Sequence, residues 1–167
     1  RSESWQNYEI VSKVIDVKDL FQETSSLRNY IHSIYLYNQD EQLIISSIGG
    51  LHKVEDFYDT EWIDLTSIID AFEIYTTEVR KPAKNLTLFD KKVLGVDDSD
   101  VITFIFPLKY IKYKGAVAIN VRYDYLFKDF VSEGDSSEAY LVVDQDGRIM
   151  YDGLKWSNIT GIDAYEF

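Results

Sequence analysis

The spacing of apolar positions changes several times along the chain, and each change marks a predicted element. Val14, Val17 and Phe21 recur at helical spacing with further apolar positions beside them, which predicts a first helix with a wide apolar face. Either this helix packs on its own domain with one side and on a partner helix with the other, or it is fully buried in one core. The polar residues 24–26 predict a break and a new helix cap, followed by a short helix over residues 27–31.

Two β-rich stretches surround a polar turn in SIYLYNQDEQLIISS, residues 33–47, and predict a hairpin. After Gly49 and Gly50 the apolar positions follow the helical period as far as Phe72, which predicts two short helices broken near residues 59–60. The element order that follows is strand, strand, strand and helix, with strands predicted at residues 86–94, 101–108 and 114–123. Together these elements predict an α+β fold with an antiparallel sheet of about five strands, a long N-terminal helix and helices that cover one face.

The pattern of the first hairpin occurs twice. YLYNQDEQLIIS at residues 35–46 is matched by LVVDQDGRIMYD at residues 141–152, after the strands and helix that complete the first sheet. We therefore predict a helical lead-in at 1–31, a first module at 32–133, and the start of, or connection to, a second module at 134–167.

The charge and residue types of the chain exclude several functions. Its 167 residues carry a formal net charge of -12, and an acidic surface repels phosphate backbones, so we expect no nucleic-acid binding. The absence of cysteine excludes disulfides and thiolate chemistry. His32 and His52 stand in no metal-ligand motif, and the chain has no nucleophile elbow or phosphate-binding loop. We predict a chain that is not an enzyme and binds no metal or cofactor.

The strand GAVAINV at residues 115–121 has two different faces. Val117, Ile119 and Val121 are bulky and predicted to face the core, whereas the other face carries two alanines and Asn120. Small side chains leave volume above a sheet, and the amide of Asn120 can orient whatever fills it. The alternative is that the small face lets a helix approach closely while the backbone satisfies Asn120.

The stretch VITFIFPLKYIKYKGAVAINVRYDYLFKDF, residues 101–130, resembles the end of a Cache domain, the extracellular PAS-like sensor module of bacterial chemoreceptors, histidine kinases and membrane-bound regulators. In that family a strand ending in Pro-Leu or Pro-Val precedes a hairpin, a Gly, an apolar run, Asp or Asn, and a Leu-containing helix. These places are filled by Pro107, Leu108, Gly115, Asn120 and Leu126. FYDTEWIDL resembles the Trp-bearing helix of the family, and the two hairpins resemble those of double-Cache proteins.

The resemblance implies a PAS-like sheet, a first helix that continues from a membrane span, and a small-molecule pocket between sheet and helices in the membrane-distal module. The best-defined pocket in the family binds amino acids, with Tyr, Arg and Trp at the carboxylate and an Asp of the last strand at the amine. Asn120 stands at that Asp position, and an amide lacks the charge that pairs with ammonium. The expected ligand is therefore a nutrient such as a sugar, a carboxylate or an amino-acid-like compound.

The candidate pocket residues are those that this predicted fold places between the sheet and its covering helices. Trp62 either stacks on a ligand or belongs to the core, and Tyr58, one turn earlier, has the same alternatives. Arg80, which follows Tyr75 where the chain returns to the sheet, either forks to a carboxylate or to sugar hydroxyls, or is solvated. Phe106 either forms a wall of the pocket or is core. The predicted ligand-binding residues are Trp62, Arg80, Asn120, Tyr58, Tyr75 and Phe106.

The resulting hypothesis is an extracellular small-molecule sensing domain of a bacterial transmembrane signalling protein. The tyrosine-rich first hairpin and the Asn on the last strand resemble those features in the Cache ectodomains of Gram-positive proteins. These proteins are histidine kinases of two-component systems and AraC-type regulators. We expect the domain to relay ligand binding through its N-terminal helix, to form a homodimer through that helix, and to be anchored at the outer face of the membrane by flanking spans. The alternative is a protein-interaction or structural ectodomain with a vestigial pocket filled by its own side chains.

Overall fold

A long helix precedes the sheet in the computed structural model, which describes residues 3–67, 74–108, 114–128, 141–143, 147 and 149–152. This helix, α1, runs from Glu3 to Leu27. The predicted break at residues 24–26 is wrong, because the Thr24 hydroxyl donates to the Leu20 carbonyl at 2.7 Å, one turn back, instead of capping a new helix. The short second helix is also absent from this part of the described chain, because Ile31 begins the first strand.

Six antiparallel strands form the main sheet, in the order β3-β2-β1-β6-β5-β4. The predicted α+β fold is confirmed, with six strands in place of about five. The strands that the apolar spacing missed are β3 and β4, one at each edge of the sheet, and one of the five predicted strands, at 86–94, is a helix. The strands are β1 (Ile31–Asn38), β2 (Leu43–Ser46), β3 (Gly50–Lys53), β4 (Tyr75–Thr76), β5 (Val101–Leu108) and β6 (Gly115–Arg122).

Residues 54–67, called the covering segment below, contribute aromatic side chains to the core of the sheet. Two α-helices were predicted in this region, but within residues 54–67 the structure has 3-10 turns at Val54–Asp56 and Asp64–Ser67. Their backbone bonds join residues three apart, as in Phe57 N–H to Val54 O at 3.2 Å. Because 3-10 and α-helical periods are similar, apolar spacing over one or two turns does not separate them. The end of the second predicted helix, residues 68–73, lies outside the described residues.

Helix α2 (Leu88–Leu94) stands where a strand was predicted. Its start is a capping box, in which Thr87 accepts from the Asp90 amide and Asp90 bonds back to the Thr87 amide. Its end is Gly95, whose φ of 68° is the left-handed conformation that glycine adopts most easily. These local signals override the β-rich composition of the run. None of the helices in the described part of the chain is long and apolar enough to cross a membrane.

The two faces of the sheet are reversed relative to the prediction for β6. Ala116, Ala118 and Asn120 are fully buried, whereas Val117 and its bulky neighbours are half-buried. The small residues leave room for aromatic side chains, which fill the core together with them. The core cluster consists of Tyr35, Tyr37, Ile44, Phe57, Trp62, Ile105, Ala116 and Ala118.

Gly115 permits the close pairing of β6 with β1. A Cβ atom at this position would lie 2.0 Å from the Tyr37 carbonyl oxygen, so any other residue would force the strands apart. The pairing register places Ser33 opposite Asn120 and Tyr35 opposite Ala118, on the same face of the sheet. The glycine thus supports the register that defines the site.

The second hairpin forms a sheet of its own, with β7 (Leu141–Val143) antiparallel to β8 (Ile149–Asp152). The chain divides into two compact units, Arg1–Tyr123 and Asp124–Phe167. The predicted exit helix is described as α3 (Tyr123–Leu126), and residues 129–140 lie outside the described residues, as does the hairpin turn at 109–113. The module limits 32–133 and 134–167 stay predictions.

Candidate ligand-binding site

Arg80 is held against the sheet by both its backbone and its side chain. Its backbone forms a β-bridge with Val101, in which each amide donates to the other carbonyl at 2.9 Å. Its Nε donates to Thr103 Oγ1 at 2.7 Å, and its Nη2 donates to Asn120 Oδ1 at 3.0 Å. The guanidinium is therefore oriented by residues of β5 and β6. The solvated position that was one alternative for Arg80 is excluded, because its side chain is only 11% exposed.

Asp59 of the covering segment pairs with Arg80 through both carboxylate oxygens. Oδ2 accepts from Nη2 at 3.0 Å and Oδ1 accepts from Nη1. The Asp59 side chain is 1% exposed, so this is a buried, bidentate ion pair. The pair joins the covering segment to the sheet.

Asn120 connects this ion pair to β1. Its Oδ1 also accepts from the Thr103 hydroxyl at 2.6 Å, and its Nδ2 donates to Ser33 Oγ at 2.7 Å. Ser33 in turn donates to the Tyr35 hydroxyl at 2.9 Å. The amide is thus satisfied by side chains, not by backbone as the alternative prediction supposed, and its buried position requires such partners.

Aromatic rings enclose the polar cluster on the side of the covering segment. Trp62 is fully buried, stacks on Tyr35 at a centroid distance of 6.0 Å, and donates its indole N–H to the Asp59 carbonyl at 3.0 Å. Tyr58 packs against Phe57, and its hydroxyl lies 3.4 Å from that of Tyr35. The indole bond closes the turn that aims the Asp59 side chain at Arg80.

Burial dominates the titration behaviour of the cluster. Loss of solvation raises the pKa of Asp59 above its ordinary value, although Arg80 works in the other direction. Burial also raises the pKa of Tyr58 to about 12 and that of Tyr35 well above its usual range. Both tyrosines therefore stay protonated at neutral pH and offer hydroxyl donors.

A second polar cluster continues from the first at the neighbouring residue of β1. His32 Nδ1 lies 3.0 Å from Ser33 Oγ, and His32 Nε2 lies 3.5 Å from the carboxylate of Asp97. Asp97 also accepts from Arg122 Nη1 at 2.7 Å. Burial lowers the pKa of His32, and Asp97 offsets this only partly. His32 therefore links the two clusters as a neutral ring near neutral pH.

Four of the six predicted ligand-binding residues meet at this site, namely Trp62, Arg80, Asn120 and Tyr58. Tyr75 lies on the same face, opposite Ile105, and packs against the core cluster. Phe106 does not belong to the site, because it pairs with Val117 on the other face of the sheet.

Three further residues complete the site, Asp59, Thr103 and Ser33, and none of them was predicted from the sequence. Only Asp59 carried a usable signal in the sequence. Asp59 stands three residues before Trp62 within an apolar repeat, where a carboxylate needs a buried partner. Thr103 and Ser33 both pair directly with Asn120 across the sheet, which only the strand register reveals. Among the described residues, no group of three or more His, Asp and Glu side chains is placed to hold a metal ion.

No model of a known protein family matches the chain, and no curated protein matches it. Solved structures do. The sensory domain of the Campylobacter jejuni chemoreceptor Tlp3 superimposes with a TM-score of 0.56 and 16% identity over 90% of this chain and 56% of that domain. The ligand-binding domain of Tlp3 in complex with L-valine superimposes with a TM-score of 0.55 and 16% identity, again over 90% of this chain and 56% of that domain.

The extracellular domain of soHK1S-Z6, a candidate histidine kinase, is similar as well. Its TM-score is 0.55 with 14% identity, over 92% of this chain and 59% of that domain. This chain therefore has the fold of Cache-type sensor domains, as the resemblance implied, and spans little more than half the length of these structures.

Proposed function

We propose that this chain is the small-molecule sensing ectodomain of a bacterial membrane signalling protein, a histidine kinase or an AraC-type regulator. Residues 32–133 form the membrane-distal module, and residues 134–167 begin the proximal one. The observation that carries this function is the buried set of hydrogen-bonding groups formed by Arg80 and Asn120 at the sheet and by Tyr58 and Trp62 of the covering segment, in a Cache-type fold. Convergent polar groups beneath an aromatic cover are typical of small-ligand sites.

The proposed ligand is a small nutrient bound between the covering segment and the sheet. Arg80 and Asn120 bind its polar groups, while Trp62, Tyr58 and Tyr75 contact its body. The chain catalyses no reaction. The ligand shifts an equilibrium between two arrangements of the domain because it binds one of them better.

Helix α1 is the proposed relay and dimer contact. It packs on the sheet at β1, β2 and β3, and among its described side chains two large apolar ones on one face, Leu20 at 59% and Leu27 at 72%, are exposed two turns apart. These positions are available to a second copy of the helix. Analytical ultracentrifugation at micromolar concentration tests this, and a protein that stays monomeric with and without ligand would remove the support for the dimer.

A second candidate function is a structural or protein-interaction ectodomain with a self-filled pocket. The observation that favours it is that Asp59, Trp62 and Asn120 are fully buried and satisfy one another or their neighbours through internal bonds. In that case the site holds no ligand at all.

A ligand screen separates the two functions. Native mass spectrometry of the purified chain is followed by thermal unfolding with amino acids, sugars and carboxylates. A ligand at a hundred times its Kd stabilises the folded state by about 2.7 kcal/mol, which raises Tm by roughly 5–10 °C for a chain of this size. The shift should disappear in Asn120→Ala and persist in Asn29→Ala, a change at an exposed turn. If no compound binds, the self-filled domain is the better description.

A further inference from the structure

We propose that Asp59 is an internal carboxylate that occupies Arg80 in the free protein, and that an anionic ligand binds by replacing Asp59 on the guanidinium. This inference deepens the proposed function and rests on it, because it names the chemistry of the same site. Asp59 then determines which ligands bind. A ligand must present an anionic group that can form the same two hydrogen bonds to the Arg80 guanidinium as the Asp59 carboxylate.

The contacts of Arg80 allow such an exchange. Its backbone bridge to Val101 and its side-chain bonds to Thr103 and Asn120 come from the sheet. These contacts keep the guanidinium in place when Asp59 leaves. The two terminal nitrogens that Asp59 uses would then face an incoming carboxylate in the same bidentate geometry.

Asp59 belongs to the covering segment, which lies outside the strand ladder that holds Arg80. The backbone bonds within the covering segment, such as Phe57 N–H to Val54 O and Thr66 N–H to Ile63 O, join residues only three apart. Arg80, by contrast, is bridged to a strand in the continuous ladder of the sheet. Because the ladder of the sheet opens as one cooperative unit, we place the separation of the ion pair in a shift of the covering segment, which Phe57 and Trp62 also pack on the core.

The charges at the site require that a ligand anion replaces Asp59 and does not bind beside it. Arg80 carries one positive charge, and Asp59, at 1% exposure, already balances it. A second carboxylate beside an ionised Asp59 would place two like charges in a buried site, which is strongly disfavoured. An Asp59 that leaves Arg80 but stays inside the domain, beside Tyr35, Tyr58 and Glu61, keeps the burial that raises its pKa. It loses the arginine that lowers its pKa, so its protonated form is favoured. Anion binding therefore takes up a proton, and the affinity should rise up to about tenfold for each unit by which pH falls.

Chemical rescue tests the exchange. In Asp59→Ala, sodium acetate should raise Tm in a saturable way beyond the effect of sodium chloride at equal ionic strength, because acetate refills the vacated place on Arg80. Asp59→Ala/Arg80→Met is the matched control and should show no such excess. An equal acetate response in both variants, or none in either, overturns the inference.

If Asp59→Ala does not fold, Asp59→Asn replaces it, since the amide keeps the shape of the side chain. Acetate should then bind to Asp59→Asn at least tenfold tighter than to the wild-type chain in calorimetric titration at pH 7, and with little pH dependence between pH 8 and 6. Equal affinities would overturn the inference. Failure of either experiment leaves the ligand screen on the wild-type chain as a separate test of the proposed function.

Discussion

Two pairs of aspartate and arginine in this protein have the same chemistry and opposite surroundings. Asp59 and Arg80 are 21 residues apart in the chain and lie inside the domain, with side chains 1% and 11% exposed. Asp97 and Arg122 are 25 residues apart and lie near the surface, with side chains 52% and 25% exposed. The comparison separates what an ion pair does from what burial does.

The two carboxyl groups titrate in opposite directions. Burial raises the pKa of Asp59 despite its bidentate arginine. For Asp97 a weaker effect of burial is exceeded by hydrogen bonds from Ser99 and Arg122, which lower its pKa to about 2. Pairing with arginine therefore does not by itself decide whether the pKa of an aspartate rises or falls. The extent to which the carboxylate loses its water decides it. The buried pair is costly to form, which favours the exchange proposed above, in which a ligand carboxylate replaces Asp59 on Arg80.

The largest difference between the pairs should appear when one partner is removed. Arg80→Met leaves Asp59 buried without its counter-charge and should lower the free energy of unfolding by about 3–5 kcal/mol. Arg122→Met removes the partner of an exposed carboxylate and should cost less than about 1 kcal/mol. Urea unfolding at pH 7 measures both. Similar losses in the two variants would mean that burial does not distinguish the pairs.

A smaller loss is expected when the amide beside the buried pair is removed. In Asn120→Ala, Arg80 and Thr103 lose the oxygen that accepts their hydrogen bonds, and Ser33 loses the amide that donates to it. This change should lower the free energy of unfolding by about 1–3 kcal/mol. Asn29→Ala, at an exposed turn, should stay within about 0.5 kcal/mol of the wild-type chain. The same urea series measures these two variants, and a stable Asn120→Ala would show that the surrounding groups find other partners.

The smallest effect concerns His32, which lies between the two clusters. Its pKa in the folded state is lowered below the ordinary 6.5 by burial, so the unfolded chain binds the proton more tightly. The stability that the neutral ring contributes is present above pH 6.5 and is lost as pH falls toward the folded pKa, by at most about 1.4 kcal/mol per pH unit.

Unfolding measured between pH 8 and 5.5 tests this dependence, which should be flatter in His32→Asn than in the wild-type chain. Burial lowers the pKa of His52 as well, so His52→Asn is needed as the comparison. An unchanged slope in His32→Asn would assign the pH dependence to His52 or to other groups.

Local patterns predicted much of the fold, and they failed where tertiary contacts or capping signals outweighed them. The two hairpins, the long first helix and the central strands β5 and β6 were predicted from alternation and helical spacing and are confirmed. The run at 86–94 was misread as a strand because its capping residues, Thr87 with Asp90 and then Gly95, were weighed less than its composition. The two faces of β6 were misread because side-chain size was taken as a measure of burial.

The site shows the same division. By itself the sequence determined that Trp62, Arg80 and Asn120 are candidates, because each is a residue type with a specific bonding geometry placed at the end or on the face of a predicted element. Only the tertiary structure decided that Asp59 reaches Arg80 and that Thr103 and Ser33 flank Asn120. Those partners are 17 to 87 residues apart in the chain. Strand register and the turn closed by Trp62 bring them together, and no local period encodes either.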